Sequence, residues 1–182
     1  NQLTGNGGAD LIFGDGSNLG AGESGGNDTL FGNAGDDTLT GDAEDTLSGD
    51  AAGGDDTLNG GEGSDQLHGD SSLMQDTATG GDDVLDGGNG FNNIVGDAFG
   101  LVGSAAGGDD TLTGGDNRDT MNGDANVMTQ TSTGGNDTLN GGKGKDDMTG
   151  DGRVMSNSAV GGNDVLNGGD GNDVMRGDGL FS

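Results

Sequence analysis

The stretch GGNDTLNGGKGKDDMTGD, residues 134–151, is the one that decides the fold of this chain. It is rich in glycine and aspartate, and only Leu139 and Met148 suit a hydrophobic core. Glycine loses the most conformational entropy on folding, and neighbouring carboxylates such as Asp146 and Asp147 repel each other. We therefore expect a component outside the polypeptide to make this arrangement favourable.

The composition of the whole chain has the same imbalance. Leu, Ile, Val and Phe make up about a sixth of the 182 residues, and the formal net charge is -28 at pH 7. Such a chain buries too little apolar surface to stay folded alone. With 5 basic residues it cannot neutralise phosphates, and it has no apolar run long enough for membrane insertion. We expect cations as partners, and neither nucleic acid nor inserted membrane.

An internal repeat organises the chain. A Gly-Gly pair recurs every 27 residues from Gly53 to Gly161, and the pair at Gly25 stands 28 residues earlier. Each period divides into three nine-residue units, which we call the first, second and third modules. Residues 78–86 are an example of a first module, residues 60–68 of a second module and residues 69–77 of a third module. The one extra residue falls in the third module at 41–50. Since insertions are best tolerated in loops, we place that module partly at the surface.

Apolar residues follow the same grid. First and second modules place one at position eight, as Leu85 and Leu67 show, and this pattern predicts very short strands with only their centres inward. Third modules instead place it at position six, as at Leu101. We predict an all-β parallel β-solenoid (a β-roll or β-helix) with about 27 residues per coil. A three-sided coil and a two-sided 18-residue roll with a nine-residue excursion both fit the pattern.

Aspartates occupy fixed positions in the modules. Equivalent residues of adjacent coils would lie about 4.8 Å apart, where a divalent cation turns their repulsion into attraction. All-oxygen ligation in flexible turns suits Ca²⁺ better than Mg²⁺, so we predict a calcium-stabilised parallel β-solenoid. Position six of the first and second modules supplies the expected metal ligands, which are Asp10, Asp28, Asp37, Asp56, Asp65, Asp83, Asp110, Asp119, Asp137, Asp146, Asp164 and Asp173, with Asn92 as the one departure. Position two of the third modules supplies residues that either cap a turn or ligate a separate ion, namely Asp15, Asp42, Asp70, Asp97, Asp124, Asp151 and Asp178.

Three segments carry a resemblance to a known family. GGEGSDQLH (60–68), GGKGKDDMT (141–149) and GGDGNDVMR (168–176) resemble the nonapeptide G-G-x-G-x-D-x-U-x of the RTX, or hemolysin-type, calcium-binding repeat family. The resemblance covers nearly all of residues 5–178, and the third modules depart from it because they lack the position-six Asp. It implies multiple Ca²⁺ ions as cofactors, and a secreted or cell-surface bacterial protein that leaves by type I secretion and folds outside the cell.

Several functional hypotheses fit these observations. The leading one is a calcium-folded structural module, and the alternatives are an adhesive or matrix protein that binds polysaccharide or polymerises with calcium, and a non-catalytic module attached to a secreted enzyme. Paired carboxylates recur in every period, which a catalytic site does not, and His68 is predicted to be a solvated residue without a catalytic partner. We therefore expect no enzyme activity. We expect residues 1–182 to form a single solenoid, excised from a longer protein.

Overall fold

A computed structural model describes residues 1–181 and contains β-strands joined by turns and bends. No helix in this range is long and apolar enough to cross a membrane. The strands form three parallel sheets, and the chain passes through the first, second and third sheet in turn. The all-β solenoid that the sequence predicts is confirmed.

The first sheet is built from the first modules, and its strands are β1 (Gln2–Gly7), β4 (Thr29–Ala34), β7 (Thr57–Glu62), β10 (Val84–Asn89), β13 (Thr111–Asp116), β16 (Thr138–Gly144), β19 (Val165–Asn167) and β20 (Asp170–Gly171). The second sheet contains β2 (Leu11–Phe13), β5 (Thr38–Thr40), β8 (Gln66–His68), β11 (Asn93–Val95), β14 (Thr120–Asn122), β17 (Asp147–Thr149) and β21 (Val174–Arg176). The third sheet contains β3 (Asn18–Leu19), β6 (Ala43–Leu47), β9 (Ser71–Met74), β12 (Ala98–Leu101), β15 (Ala125–Met128), β18 (Gly152–Met155) and β22 (Leu180–Phe181).

The register of all three sheets follows the 27-residue period. Leu85 lies between Leu58 and Leu112 in the first sheet. Ile94 lies between Leu67 and Met121 in the second sheet. One coil therefore takes 27 residues, and like stacks on like.

The extra residue of the third module at 41–50 forms a bulge in the third sheet. The register between β6 and β9 shifts between Ala43 and Thr46, and the intervening Glu44 and Asp45 are exposed. The solenoid absorbs the insertion at its surface, as the sequence predicts, because the ladder on either side of the bulge keeps its partners.

Two separate hydrophobic cores run along the axis. The roll core lies between the first and second sheets and contains residues such as Leu85, Leu112 and Ile94. The lobe core lies inside the third module and contains Leu101 and Met128 together with several alanines. The coil is thus an 18-residue roll and a nine-residue excursion, and the excursion closes a thin core of its own.

The excursion returns through a row of single bridges. Thr79, Ala106 and Thr133 pair in parallel from coil to coil and close the lobe on the side opposite the third sheet. The chain leaves the roll just before β12 and re-enters it just before β13. We call this narrow region, where the entrance and exit of each excursion lie side by side, the waist.

Two local expectations need correction. The first-sheet strands from β1 to β16 are longer than three residues, because a strand such as Val84–Asn89 continues into the glycine pair, with Gly87 facing inward at the next alternate position. His68 is half-buried rather than solvated, and burial lowers its pKa to about 4. Other position-nine residues of the second sheet, such as Val95 and Asn122, are buried. The Asn122 side chain donates to Oδ1 of Asn126 in the third module, 3.1 Å away, which indicates that the excursion covers this position.

Candidate metal centre

The first-module aspartates form a buried row where each coil re-enters the first sheet. The backbone N–H of Asp83 donates to Oδ1 of Asp110 at 2.8 Å, and the backbone N–H of Asp110 donates to Oδ1 of Asp137 at the same distance. Each carboxylate thus binds the main chain of the coil before it through one oxygen. The other oxygen, Oδ2, is buried without a hydrogen-bond partner in Asp56, Asp83, Asp110 and Asp137.

The second-module aspartates form an equivalent row before the second sheet. The backbone N–H of Asp119 donates to Oδ1 of Asp146 at 2.9 Å, and Oδ2 of both residues is buried and unpaired. A Cβ built on Gly114 would lie 2.6 Å from Oδ2 of Asp119 and 2.7 Å from the carbonyl oxygen of Gly141. A glycine is therefore required at position 114, because any side chain there would fill the space beside Oδ2 of Asp119 and the Gly141 carbonyl oxygen. Both of these oxygens are acceptors, so they cannot form a hydrogen bond with each other.

Asn92 provides a natural control for this geometry. Its Oδ1 accepts from the backbone N–H of Asp65 at 3.0 Å, as an aspartate Oδ1 does elsewhere in the row. Its Nδ2 takes the position of the unpaired Oδ2 and donates to the carbonyl oxygen of Gly114 at 3.4 Å. Where the side chain has hydrogen atoms, it satisfies the facing carbonyl itself. Where the side chain is a carboxylate, its Oδ2 and the facing carbonyl oxygen are both acceptors, and a cation between them would satisfy both.

The third-module aspartates lie at the waist, where those of the inner coils are fully buried and the terminal Asp15 and Asp178 are exposed. Asp42, Asp70, Asp97, Asp124 and Asp151 all have 0% relative exposure. Oδ1 of Asp97 accepts from the backbone N–H of Gly108 at 2.9 Å. This hydrogen bond reaches 11 residues ahead, so it joins the entrance of the excursion to its exit and does not cap a local turn.

Burial makes these three rows electrostatically unfavourable as bare carboxylates. Desolvation raises the pKa of Asp56 and Asp137 to about 8 and that of Asp119 to about 7. At the waist, desolvation followed by the neighbouring carboxylates raises the pKa of Asp97 and Asp110 well above the usual range. The same direction holds for Asp42, Asp65, Asp70, Asp83, Asp124, Asp146, Asp151 and Asp164.

Basic side chains do not neutralise the buried rows. Among residues 1–181, the salt bridges of Lys143, Arg153 and Arg176 go to Asp116 and Asp147, which lie outside the three rows. The N-terminal ammonium group pairs with Asp28 at the first coil. A buried charge without a partner costs far more than a surface one, so the other carboxylates of the rows need a proton or an external cation.

The donor set fits a hard divalent cation with flexible coordination. Within the described residues, no three acidic or histidine side chains converge on one point. Main-chain carbonyls such as that of Gly141 must therefore complete any site, together with the unpaired carboxylate oxygens. Ca²⁺ accepts six to eight oxygen ligands of mixed type, about 2.3–2.6 Å away, whereas Mg²⁺ demands a tighter octahedron.

The fold and these turns together define a cation-stabilised parallel β-solenoid. The model of the RTX calcium-binding nonapeptide repeat matches residues 1–18, 24–52, 44–72, 77–98, 104–126, 131–152 and 159–179. The chain therefore belongs to the RTX calcium-binding repeat family, and it is a calcium-binding repeat module. No curated protein and no solved structure matched the chain.

The sequence anticipated the rows but not how they meet. Asp97 and Asp110 are in different modules, yet their charges act on each other at the waist. The first and third rows are therefore neighbours, while the second row lies apart on the roll. The GD dipeptide that opens each third module was the available signal, since its 27-residue recurrence is as regular as that of the nonapeptide.

Proposed function

We propose that this module is a non-catalytic structural unit of a secreted or cell-surface bacterial protein, and that it folds when calcium binds outside the cell. The observation that carries the proposal is the unpaired, buried Oδ2 repeated along the first- and second-module rows. We assign the position-six aspartates of both rows as calcium ligands through that oxygen, with main-chain carbonyls completing the sites.

The free energy of such a fold depends on the calcium concentration. A ligand that binds only the native state stabilises it by RT ln(1 + [L]/Kd), summed over its sites. Many weak sites therefore produce a steep transition, and sites in extracellular modules have Kd values of about 10⁻⁴–10⁻³ M. A chain of this charge would remain unfolded at the low calcium of the cytoplasm, as type I secretion requires, and would fold on release.

A calcium titration followed by circular dichroism tests this proposal. We expect a disordered spectrum in chelator, a cooperative gain of β structure with calcium, and little response to the same concentration of magnesium. Strand content that is unchanged by excess chelator at neutral pH would contradict the proposal, because the buried carboxylates would then be stable without an ion.

A surface or matrix role with calcium-dependent self-association is the second candidate. In the last described coil, Val165, Met175 and Phe181 are 63%, 51% and 66% exposed and lie on strand edges. Such edges favour pairing with a further coil, either of the same protein or of a second copy. Sedimentation velocity should detect calcium-dependent oligomers that chelator dissolves. A strictly monomeric protein at high concentration in millimolar calcium would contradict this role.

Polysaccharide binding is another form of that surface role. Thr77, Ser104 and Thr131 are exposed at equivalent places in successive coils, and Oγ of Ser104 lies 2.8 Å from Oγ1 of Thr131. A regular row of hydroxyls can hydrogen-bond a polymer of sugars. Affinity electrophoresis through gels containing polysaccharides tests it, with Ser104→Ala/Thr131→Ala as the variant, and equal migration of both proteins in every gel would argue against it.

A further inference from the structure

The third-module aspartates form a ladder inside the waist that the nonapeptide pattern does not describe. One oxygen of Asp97, Asp124 and Asp151 accepts from the backbone of the returning chain, as in the bond from Gly135 N–H to Oδ1 of Asp124 at 2.7 Å. The second oxygen is buried and unpaired in Asp97, Asp124 and Asp151. These oxygens therefore point into the waist with no donor of the protein to meet them.

Successive carboxylates of the ladder converge beside the first glycine of each Gly-Gly pair. A Cβ built on Gly107 would lie 2.5 Å from Oδ2 of Asp97, and it would also overlap Oδ1 of Asp124. Gly80 stands in the same relation to Asp70 and Asp97. The space beside each such glycine is thus bordered by two carboxylate oxygens, one from each of two successive coils.

The same convergence recurs in the other coils. Gly134 lies beside Oδ2 of Asp124 and Oδ1 of Asp151, and Gly161 lies beside Oδ2 of Asp151 and Oδ1 of Asp178. Near the other end, a Cβ built on Gly53 would overlap Oδ1 of Asp70, and one built on Gly25 would overlap the carboxyl group of Asp42. The feature belongs to the repeat and is not an accident of one turn.

These paired oxygens need a positive partner. Two carboxylates this close, away from water, cannot both stay ionised unless a proton or a cation lies between them. The first-module row adds further negative charge, because Asp83 and Asp110 act on the ladder from the same waist. One proton shared by a pair of carboxylates would leave one negative charge uncompensated beside that row, whereas one divalent cation compensates both carboxylates.

We propose that the third-module aspartates hold a third row of Ca²⁺ ions inside the solenoid, each shared by successive carboxylates such as Asp97 and Asp124. The proposal rests on the calcium-binding function above and adds a set of sites to it. The role of this row is to fasten the excursion to the roll. The lobe core is thin and alanine-rich, so it gains from ions at the point where the excursion leaves and returns.

Anomalous diffraction from crystals of the protein grown with Tb³⁺ in place of Ca²⁺ tests the third row directly. Tb³⁺ resembles Ca²⁺ in its preference for oxygen ligands and scatters strongly. We expect a line of peaks at the waist beside Gly80, Gly107 and Gly134, parallel to the peaks at the position-six rows. Peaks at the position-six rows with none beside these glycines would overturn the inference alone, while a crystal without peaks in any row would overturn the proposed function as well.

The calcium content of a variant provides a solution test. Asp97→Asn/Asp124→Asn keeps the shape of both side chains and removes two charges from the ladder. Asp82→Asn/Asp109→Asn is the matched control, because it removes two exposed charges from equivalent coils. Native mass spectrometry in calcium should show the loss of at least one bound ion in the ladder variant and the full number in the control. An unchanged number in a folded ladder variant would overturn the inference, and if that variant does not fold, the diffraction experiment on the unmodified chain decides.

Discussion

The backbone N–H of Asp65 donates to Oδ1 of Asn92 at 3.0 Å, and this hydrogen bond sets the orientation of the single amide in a row of carboxylates. The amide cannot turn round, because an N–H group would then face the NH₂ of the side chain. Nδ2 must therefore point toward the carbonyl oxygen of Gly114, where it occupies the position of a cation. We infer that the second-module row is interrupted at this coil.

Restoring the carboxylate at this coil should add a calcium site. In Asn92→Asp, an unpaired Oδ2 would face the Gly114 carbonyl, as Oδ2 of Asp119 faces that of Gly141. We expect one more bound ion, and added stability of about 2.7 kcal/mol when free calcium is 100 times the Kd of the new site. Calorimetric titration gives the number of ions, and chemical unfolding at fixed calcium gives the stability.

The same variant should be less stable than the parent chain when calcium is scarce. The substitution adds a buried negative charge and removes the hydrogen bond to the Gly114 carbonyl. Both changes lower the stability of the fold unless an ion is bound. An increase in stability in chelator as well as in calcium would show that the amide had merely been a poor fit. It would then contradict the interpretation of Asn92 as a stand-in for a cation.

Adding a methyl group at Gly114 should block one site without changing any charge. A Cβ there would lie 2.6 Å from Oδ2 of Asp119 and 2.7 Å from the Gly141 carbonyl oxygen, so it fills the space between the two proposed ligands. We expect Gly114→Ala to bind fewer ions and to need more calcium to fold. Gly100→Ala is the control, since a Cβ at Gly100 meets nothing closer than 3.4 Å. Equal calcium midpoints for the two variants would count against the assigned site.

Acid should partly replace calcium. Buried carboxylates such as Asp56, Asp119 and Asp137 have pKa values of about 8, 7 and 8 in the ion-free fold, against a usual value of 3.8. The folded chain then binds more protons than the unfolded chain between about pH 8 and pH 4, so its stability rises as the pH falls through this range. In calcium-depleted buffer we expect circular dichroism to show little β structure at pH 8 and more at pH 5.

Calcium and protons compete for the same oxygens, so the pH response should reverse when calcium is present. Acidification should then release ions, which a calcium-selective electrode can follow. If the spectrum in calcium-depleted buffer does not change between pH 8 and pH 5, the buried rows do not control folding.

Both the lobe core and the roll core should be necessary for folding. Leu101 is fully buried in the lobe core and Leu112 in the roll core, so replacing either by alanine should cost about 2–5 kcal/mol. Both variants should therefore fold only at higher calcium, as monitored by circular dichroism. Phe99→Ala is the control, because Phe99 is 56% exposed and its removal leaves no cavity. A calcium midpoint for Leu101→Ala equal to that of the control would mean that the lobe contributes little to folding.

The sequence by itself determined the period, the parallel stacking and the rows of carboxylates. These properties depend on register alone, because a side chain that recurs every 27 residues must stack on its own equivalent, as Leu85 does on Leu112. Only the tertiary structure decided how the rows meet. Asp97 and Asp110 come together because the chain makes an excursion between them and returns. The periodicity specifies which residues are equivalent between coils, but not the path of the chain within one coil. Two separate cores, the alanine-rich lobe core and the roll core, hold the chain to that path, which places the third row of carboxylates at the waist.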